Sequence, residues 1–132
     1  MKRLVLDTSV LIPLLRNAAN YTHLFQTYDE VILPAIVLGE YKAGLFATKT
    51  GEKNRQSLAD YLADPNVRAV PITDRTADIY AKVYQALRKE GTPIPQDDMW
   101  IAASALENGA DLATCDEHFR HVPMLTVIVV DI

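Results

Sequence analysis

Four carboxylates in this sequence each stand at the end of an apolar run or within an apolar helix. They are Asp7, Glu40, Asp98 and Asp116. Like charges disfavour joint ionisation when carboxylates share a crevice, and a hard cation such as Mg²⁺ or Mn²⁺ relieves that repulsion. A cation held in this way can activate water and stabilise the oxygens of a phosphodiester during hydrolysis. All four acids are therefore candidate metal ligands and catalytic residues.

Hydroxyl side chains adjoin two of these acids. Thr8 and Ser9 follow Asp7, and Thr114 lies two residues before Asp116. Hydroxyls in such positions can orient a carboxylate or a water molecule on the metal. We predict that all three support the metal ligands.

A simpler interpretation exists for each acid taken alone. Asp7, Asp98 and Asp116 can each cap the start of a helix or helical turn, which is a common role for aspartate. Glu40 can be a solvated residue on the surface of a helix. The prediction of a metal site therefore depends on the four acids as a set.

The elements that must position these acids follow from the apolar pattern. Strands are predicted over residues 3–6, 31–33, 67–72, 112–114 and 126–130, and helices over 10–16, 20–28, 35–45, 74–90 and 97–106, with another helix between the polar loop 49–55 and Asp64. Strands that alternate with helices are typical of an α/β fold with a mostly parallel sheet. Asp7 and Asp116 then follow strands at the carboxyl edge, where such sheets place their ligand crevices.

Composition limits the class of protein. The chain has 132 residues, of which 49% are hydrophobic and 23% charged, and this predicts one domain, spanning 1–132. No apolar run approaches the length of about 20 residues that a membrane span needs, and no secretion signal is visible. Cys115 is the sole cysteine, so we expect a cytoplasmic protein without an internal disulfide. The net charge of -4 argues against a protein that coats nucleic acid non-specifically.

The four acidic segments together resemble the motifs of PIN-domain nucleases, and the similarity extends over nearly the whole chain. The segments are residues 7–12 (DTSVLI), 34–44 (PAIVLGEYKAG), 98–105 (DMWIAASA) and 112–119 (LATCDEHF). Asp97 stands where such proteins often have asparagine. Asp98 is taken as the third acid because its spacing to the segment at 101–103 matches the family, which leaves Asp97 as a cap or a supporting acid.

The chain length is similar to that of the VapC-type toxins of toxin–antitoxin pairs. This resemblance implies a Mg²⁺-dependent endoribonuclease with a five-stranded parallel sheet whose first and fourth strands are neighbours. It also implies a homodimer, and a cognate antitoxin whose tail reaches the acidic pocket. Two alternatives stay open: a PIN nuclease of RNA processing without an antitoxin, and a protein-binding PIN module with little activity.

Three further groups have weaker signals. Cys115, His118 and His121 have a faintly zinc-like spacing, but three ligands without a fourth favour an ordinary surface turn, and no histidine lies in a motif suited to general base catalysis. A basic cluster could contact RNA phosphates, although a solvated loop is the simpler interpretation; it consists of Lys42, Lys49, Lys53 and Arg55. The aromatic residues Tyr80, Tyr84 and Trp100 are expected to pack rather than to stack on bases.

Overall fold

A five-stranded parallel sheet forms the centre of the computed structural model, which describes residues 1–16 and 22–131. The strands are β1 (Arg3–Leu6), β2 (Glu30–Pro34), β3 (Val67–Val70), β4 (Asp111–Thr114) and β5 (Val127–Val129). They lie in the order β3-β2-β1-β4-β5, and every neighbouring pair is parallel. The predicted α/β fold is confirmed, including the neighbouring first and fourth strands.

Strand β1 lies at the middle of the sheet, and its sequence explains why. Leu4, Val5 and Leu6 are fully buried, as expected of a strand covered on both faces. Val5 is in register with Ile32 of β2 and Leu112 of β4. The order of strands reverses between β1 and β4, and this switch point is where open α/β sheets form a crevice beyond their carboxyl ends.

Five α-helices lie within the described residues and connect the strands. They are α1 (Thr8–Arg16), α2 (Ala35–Leu45), α3 (Gly51–Leu62), α4 (Asp74–Glu90) and α5 (Gln96–Glu107), with short 3₁₀ turns at Thr22–Phe25 and Glu117–His121. Helices α1, α2 and α3 contact one another, and α4 packs along α5. None of the helices within the described ranges combines the length and apolar character of a transmembrane span.

The ends of α4 show how local sequence sets the boundaries of a helix. Thr73 caps its start through a reciprocal pair of bonds with Thr76, and Gly91 ends it with a left-handed φ of 70°. Both boundaries were predicted from the sequence. The predicted apolar stripe of α2 is confirmed as well, since Val37, Tyr41 and Leu45 are its buried residues.

The predicted helix over residues 20–28 is wrong in the described part of that segment. Residues 17–21 lie outside the described residues, and Thr22–Phe25 form a 3₁₀ turn followed by an irregular turn. Phe25 and Tyr28 still pack against the core, and the Tyr28 hydroxyl donates to Asp111 Oδ2 at 2.7 Å. Phe25 and Tyr28 thus pack on the core from a short turn and not from a helix, because tertiary contacts outweigh helical propensity here.

Helix α3 begins at Gly51, inside the segment that was predicted to be a loop. A Cβ atom at this position would lie 2.6 Å from the carbonyl oxygen of Leu45, too close for any side chain. Glycine therefore allows the start of α3 to approach the end of α2. The polar segment 49–55 was interpreted as a loop before a helix, whereas the structure starts the helix at Gly51 and packs it closely against the end of α2.

Candidate metal centre

Asp7 is the acid that the fold fixes most firmly. It follows β1 directly, is only 6% exposed, and donates its backbone N–H to the carbonyl of Ala113 at 2.9 Å. Its own carbonyl accepts the N–H groups of Val10 and Leu11 at 2.9 and 3.0 Å, which begins α1. The backbone on both sides of Asp7 is therefore held, and its side chain lies at the switch point between β1 and β4.

Two hydroxyls orient the Asp7 carboxylate. Ser9 Oγ donates to Asp7 Oδ2 at 2.7 Å, and Thr114 Oγ1 donates to the same oxygen at 2.8 Å. Within residues 1–16 and 22–131 no side chain donates to Oδ1. The arrangement leaves one oxygen of a buried carboxylate available for a cation. Ser9 and Thr114 both bond to Asp7, which is the contact that their predicted supporting role requires.

Ser9 is itself held by the turn that follows β4. The N–H of Cys115 donates to Ser9 Oγ at 3.0 Å, and Cys115 Sγ lies 3.5 Å from the Ser9 carbonyl oxygen. That carbonyl is free because its usual partner in a helix would be the N–H of residue 13, and Pro13 has none. The proline inside α1 thus leaves a carbonyl for the thiol of the exposed Cys115.

Replacing Thr114 by valine removes one of these two donors without changing the shape of the side chain. Thr114 is fully buried, so Asp7 Oδ2 would lose a bond that water cannot readily replace. We expect the free energy of unfolding to fall by about 1–3 kcal/mol, the usual cost of leaving a buried polar group short of a partner. Urea denaturation would measure the loss, and unchanged stability would mean that Thr114 does not support Asp7.

Glu40 reaches the same region from α2. Thr8 Oγ1 donates to Glu40 Oε1 at 2.7 Å, and this bond joins the start of α1 to the middle of α2. Burial raises the pKa of Glu40 above its ordinary value, the Thr8 bond lowers it, and the charges of Asp97, Asp7 and Asp98 raise it further. Glu40 is therefore part of the acidic set, and its interpretation as a solvated helix residue is wrong.

Replacing Glu40 by glutamine should stabilise the metal-free protein. The pKa of Glu40 is raised on folding, so its ionisation lowers stability as the pH rises through the folded value. Glutamine keeps an oxygen for Thr8 and removes the charge. In EDTA at pH 7 we expect a melting temperature higher by about 2–5 °C, and this gain should vanish near pH 4, where Glu40 is protonated.

The matched control for this prediction is Glu90→Gln. Glu90 is exposed at the end of α4, so the loss of its charge should change the free energy of unfolding by no more than about 0.5 kcal/mol. A lower melting temperature for the Glu40→Gln protein at pH 7 would contradict the prediction. Thermal unfolding followed by circular dichroism is sufficient for both variants.

Asp98 and Asp97 lie in the first turn of α5, but neither one caps it. The cap position is Pro95, so the capping interpretation of both residues is wrong. Burial raises the pKa of Asp98, a bond from His118 lowers it, and the charges of Asp7 and Asp116 raise it again. Asp98 thus faces the other acids, whereas Asp97 is exposed and acts on Glu40 through its charge.

Asp116 combines both of the roles considered for it. Its Oδ1 accepts the backbone N–H of His118 at 3.1 Å, which caps the 3₁₀ turn, as the simpler interpretation predicted. Its own N–H donates to Thr114 Oγ1 at 3.1 Å, so the residue is tied to the Asp7 network. The side chain remains half exposed and can still face a ligand.

His118 is the residue at this site that sequence reasoning missed. Its Nε2 lies 2.7 Å from Asp98 Oδ2, and its Nδ1 lies 2.8 Å from Asp116 Oδ1. The spacing from Asp116 offered one signal, because a residue two positions into a capped turn folds back toward the capping side chain. The contact with Asp98 crosses from α5 to the turn after β4, and no periodicity reports such a contact.

The donor set fits a hard divalent cation in its chemistry. The charges of Asp7 and Asp98 act on Glu40, and those of Asp7 and Asp116 act on Asp98. Burial raises the pKa of Glu40 and of Asp98, and one oxygen of Asp7 is left free. Among the residues that the structure describes, however, no three side chains of His, Cys, Asp or Glu are gathered closely enough to hold a metal as they stand. The same finding gives no support to zinc on Cys115, His118 and His121.

Most of the remaining candidates keep the simpler roles, but the prediction that Tyr84 packs is wrong, since it is 42% exposed. Lys42, Lys49 and Lys53 are exposed, and Arg55 forms a 3.5 Å ion pair with Glu52 on the surface of α3. Tyr80 and Trp100 stack on each other across α4 and α5, with ring centroids 4.0 Å apart and planes inclined by 19°. These two rings therefore pack between helices, as expected.

Comparison with known proteins agrees with this architecture. Residues 4–125 match the PIN domain family. The chain is 31% identical over 130 residues to a ribonuclease VapC of Rickettsia bellii, and the match covers 96% of each chain. The structure superimposes on VapBC2 from Rickettsia felis bound to a promoter DNA fragment with a TM-score of 0.85 and 22% identity, covering 98% of this chain and 99% of the other.

A second solved structure is more similar in sequence. VapBC-5 from Mycobacterium tuberculosis, a member of the VapBC family of toxin–antitoxin systems, gives a TM-score of 0.71 and 27% identity with full coverage of both chains. The family match spans most of the sequence, and the four acidic motifs lie at one edge of the expected sheet. The chain belongs to the PIN domain family, and within it to the VapC group.

Proposed function

We propose that this protein is a metal-dependent endoribonuclease and the toxin of a toxin–antitoxin pair. The observation that supports the proposal is that acids from separate parts of the fold lie near enough to act on one another's pKa: Asp7 and Asp98 on Glu40, and Asp7 and Asp116 on Asp98. Burial and mutual repulsion raise the pKa of Glu40 and of Asp98. A divalent cation would relieve the repulsion between these carboxylates and so stabilise their ionised forms.

Each residue has a distinct role in the proposed site. Asp7, Glu40, Asp98 and Asp116 hold one or two Mg²⁺ or Mn²⁺ ions, and Thr8, Ser9, Thr114 and Asp97 support them. The metal, when bound, polarises the phosphodiester and activates the attacking water. Ser9 and Thr114 keep Asp7 in a single orientation, and Thr8 does the same for Glu40. Precise carboxylate placement matters because small errors in the geometry of reacting groups lower rates strongly.

The substrate class is supported by the relatives and by the charge distribution. A related protein is named a ribonuclease. The exposed basic cluster lies on α2, on α3 and in the turn between them, and consists of Lys42, Lys49, Lys53 and Arg55. The net charge of -4 would repel RNA, so the cation at the site and the local basic cluster must offset that repulsion. We place this activity in the cytoplasm, where RNA is available.

The proposed partners are a cognate antitoxin and a second copy of this chain. Two structural relatives are VapBC complexes, and one of them is described as a toxin–antitoxin system. An antitoxin that blocks the acidic pocket would place basic groups there, since four carboxylates attract cationic side chains. Co-expression with any small open reading frame found next to the gene, followed by size-exclusion chromatography with light scattering, measures both associations.

Cleavage of total cellular RNA is the direct test of the nuclease. The purified protein is incubated with RNA in Mg²⁺, in Mn²⁺ and in EDTA, and the fragment ends are mapped. We expect discrete fragments with 5′-phosphate and 3′-hydroxyl ends in either metal and none in EDTA. Fragments that persist in EDTA would contradict metal dependence. Binding of a partner without cleavage in any condition would favour a protein-binding module, and cleavage without any antitoxin gene would favour an RNA-processing nuclease.

A further inference from the structure

The side chain of His118 lies between two of the proposed metal ligands. One ring nitrogen contacts Asp98 Oδ2 at 2.7 Å and the other contacts Asp116 Oδ1 at 2.8 Å. The ring is mostly buried, with 27% of its side chain exposed. We call the three side chains of Asp98, His118 and Asp116 the imidazole bridge. The sequence predicted no part in catalysis for His118, and the proposed ribonuclease activity assigns it no role.

The imidazole bridge keeps Asp98 Oδ2 and Asp116 Oδ1 too far apart to bind the same metal ion. The two ring nitrogens point away from each other, so the two contacted oxygens lie on opposite sides of the ring. Ligand oxygens lie about 2.0–2.1 Å from Mg²⁺, so two oxygens on the same ion are at most about 4 Å apart. The absence of a ready group of three metal-binding side chains in residues 1–16 and 22–131 agrees with this separation.

The position of the ring is fixed by its surroundings. The backbone N–H of His118 donates to Asp116 Oδ1, so the same carboxylate contacts the residue twice. The next residue, Phe119, is fully buried, and its ring lies 5.0 Å from the imidazole. The turn that carries His118 is therefore anchored in the core, and the bridge follows from the fold.

We propose that His118 is a positioning residue that holds Asp98 and Asp116 apart until a divalent cation takes at least one of them from it. The inference rests on the proposed metal site and adds that His118 and the cation compete for Asp98 and Asp116. In the metal-free protein the imidazole lies between two carboxylates that would otherwise repel each other. A cation that takes Asp98 Oδ2 or Asp116 Oδ1 breaks the contact of that oxygen with His118, so His118 lowers the affinity of the site for the cation.

Metal affinity in the absence of RNA is the first test. Mn²⁺ binding is measured by electron paramagnetic resonance for the wild type, for His118→Ala and for His121→Ala. His121 is an exposed histidine on the same turn and serves as the matched control. We expect His118→Ala to bind Mn²⁺ about tenfold more tightly, the factor that one charge-assisted hydrogen bond represents, and His121→Ala to bind as the wild type does.

The second test uses the wild-type protein, so it does not depend on how a variant folds. Long-range ¹H–¹⁵N spectra report the imidazole nitrogens of His118 during a titration with Mg²⁺. We expect the signal of at least one ring nitrogen to shift with saturation of the site. The shift should be absent at the same Mg²⁺ concentrations in Asp98→Asn, which loses a proposed ligand. His118 signals that stay unchanged while Mg²⁺ binds would overturn the proposal.

The outcomes separate this inference from the proposed function. Equal or weaker Mn²⁺ binding by His118→Ala, with normal binding by the wild type, would overturn the competition and leave the metal site intact. Mn²⁺ binding by neither protein would overturn both proposals, because there would be no cation to displace the ring. Tighter binding by His118→Ala together with shifting imidazole signals would establish His118 as the residue that sets metal affinity.

Discussion

Replacing Asp7 by asparagine should lower RNA cleavage at least about 100-fold while the fold is retained, because each factor of ten in rate corresponds to about 1.4 kcal/mol and a metal supplies several. Asparagine has the shape of aspartate, and its carbonyl oxygen can accept the hydroxyls of Ser9 and Thr114 as Asp7 Oδ2 does. The change therefore removes the charge and keeps the local packing. The readout is the cleavage rate in Mg²⁺ and in Mn²⁺ on RNA of one defined sequence, once mapping has identified a site.

The matched control is Asp111→Asn. Asp111 begins β4, at the opposite edge of the sheet from the proposed centre, and accepts a bond from Tyr28. We expect it to cleave RNA at close to the wild-type rate. Cleavage by Asp7→Asn within threefold of the wild type would remove Asp7 from the proposed metal ligands. An equal loss in Asp111→Asn would instead indicate that activity depends on stability alone.

The acidic set was predictable from the sequence because strands and helices fix where residues at their ends must lie. Asp7 ends a strand of three fully buried apolar residues, and Thr114 ends another strand that pairs with it. Parallel pairing then brings the residues after β1 and β4 to the same edge of the sheet. The apolar stripe of α2 likewise determines which face carries Glu40. These inferences need only the periodicity of regular elements.

His118 could not be found in the same way. Its contact with Asp98 depends on the direction of one side chain in a 3₁₀ turn, and the two residues are 20 positions apart. Residues in irregular turns have no repeating face from which a partner can be inferred. The helix predicted over 20–28 was wrong for a related reason, because the apolar spacing of Phe25 and Tyr28 is equally compatible with a short turn packed on the core.

Phe119 is the residue through which the core holds the turn that carries two members of the imidazole bridge. It is fully buried and lies between His118 and the end of the 3₁₀ turn. Replacing it by alanine leaves a cavity the size of a benzyl group in a close-packed interior. We expect the free energy of unfolding to fall by about 3–5 kcal/mol. This corresponds to a melting temperature lower by roughly 10 °C or more for a chain of this length.

The comparison with Phe46→Ala isolates the effect of burial. Phe46 is 87% exposed, so its truncation should change the free energy of unfolding by no more than about 0.5 kcal/mol. Urea denaturation of both variants in EDTA measures the difference without a contribution from metal binding. A loss in Phe119→Ala no larger than in Phe46→Ala would mean that the turn is not anchored by the core. The positions of His118 and Asp116 would then need another cause. The contact of His118 with Asp98 is a poor candidate, because a cation that takes Asp98 Oδ2 would break it.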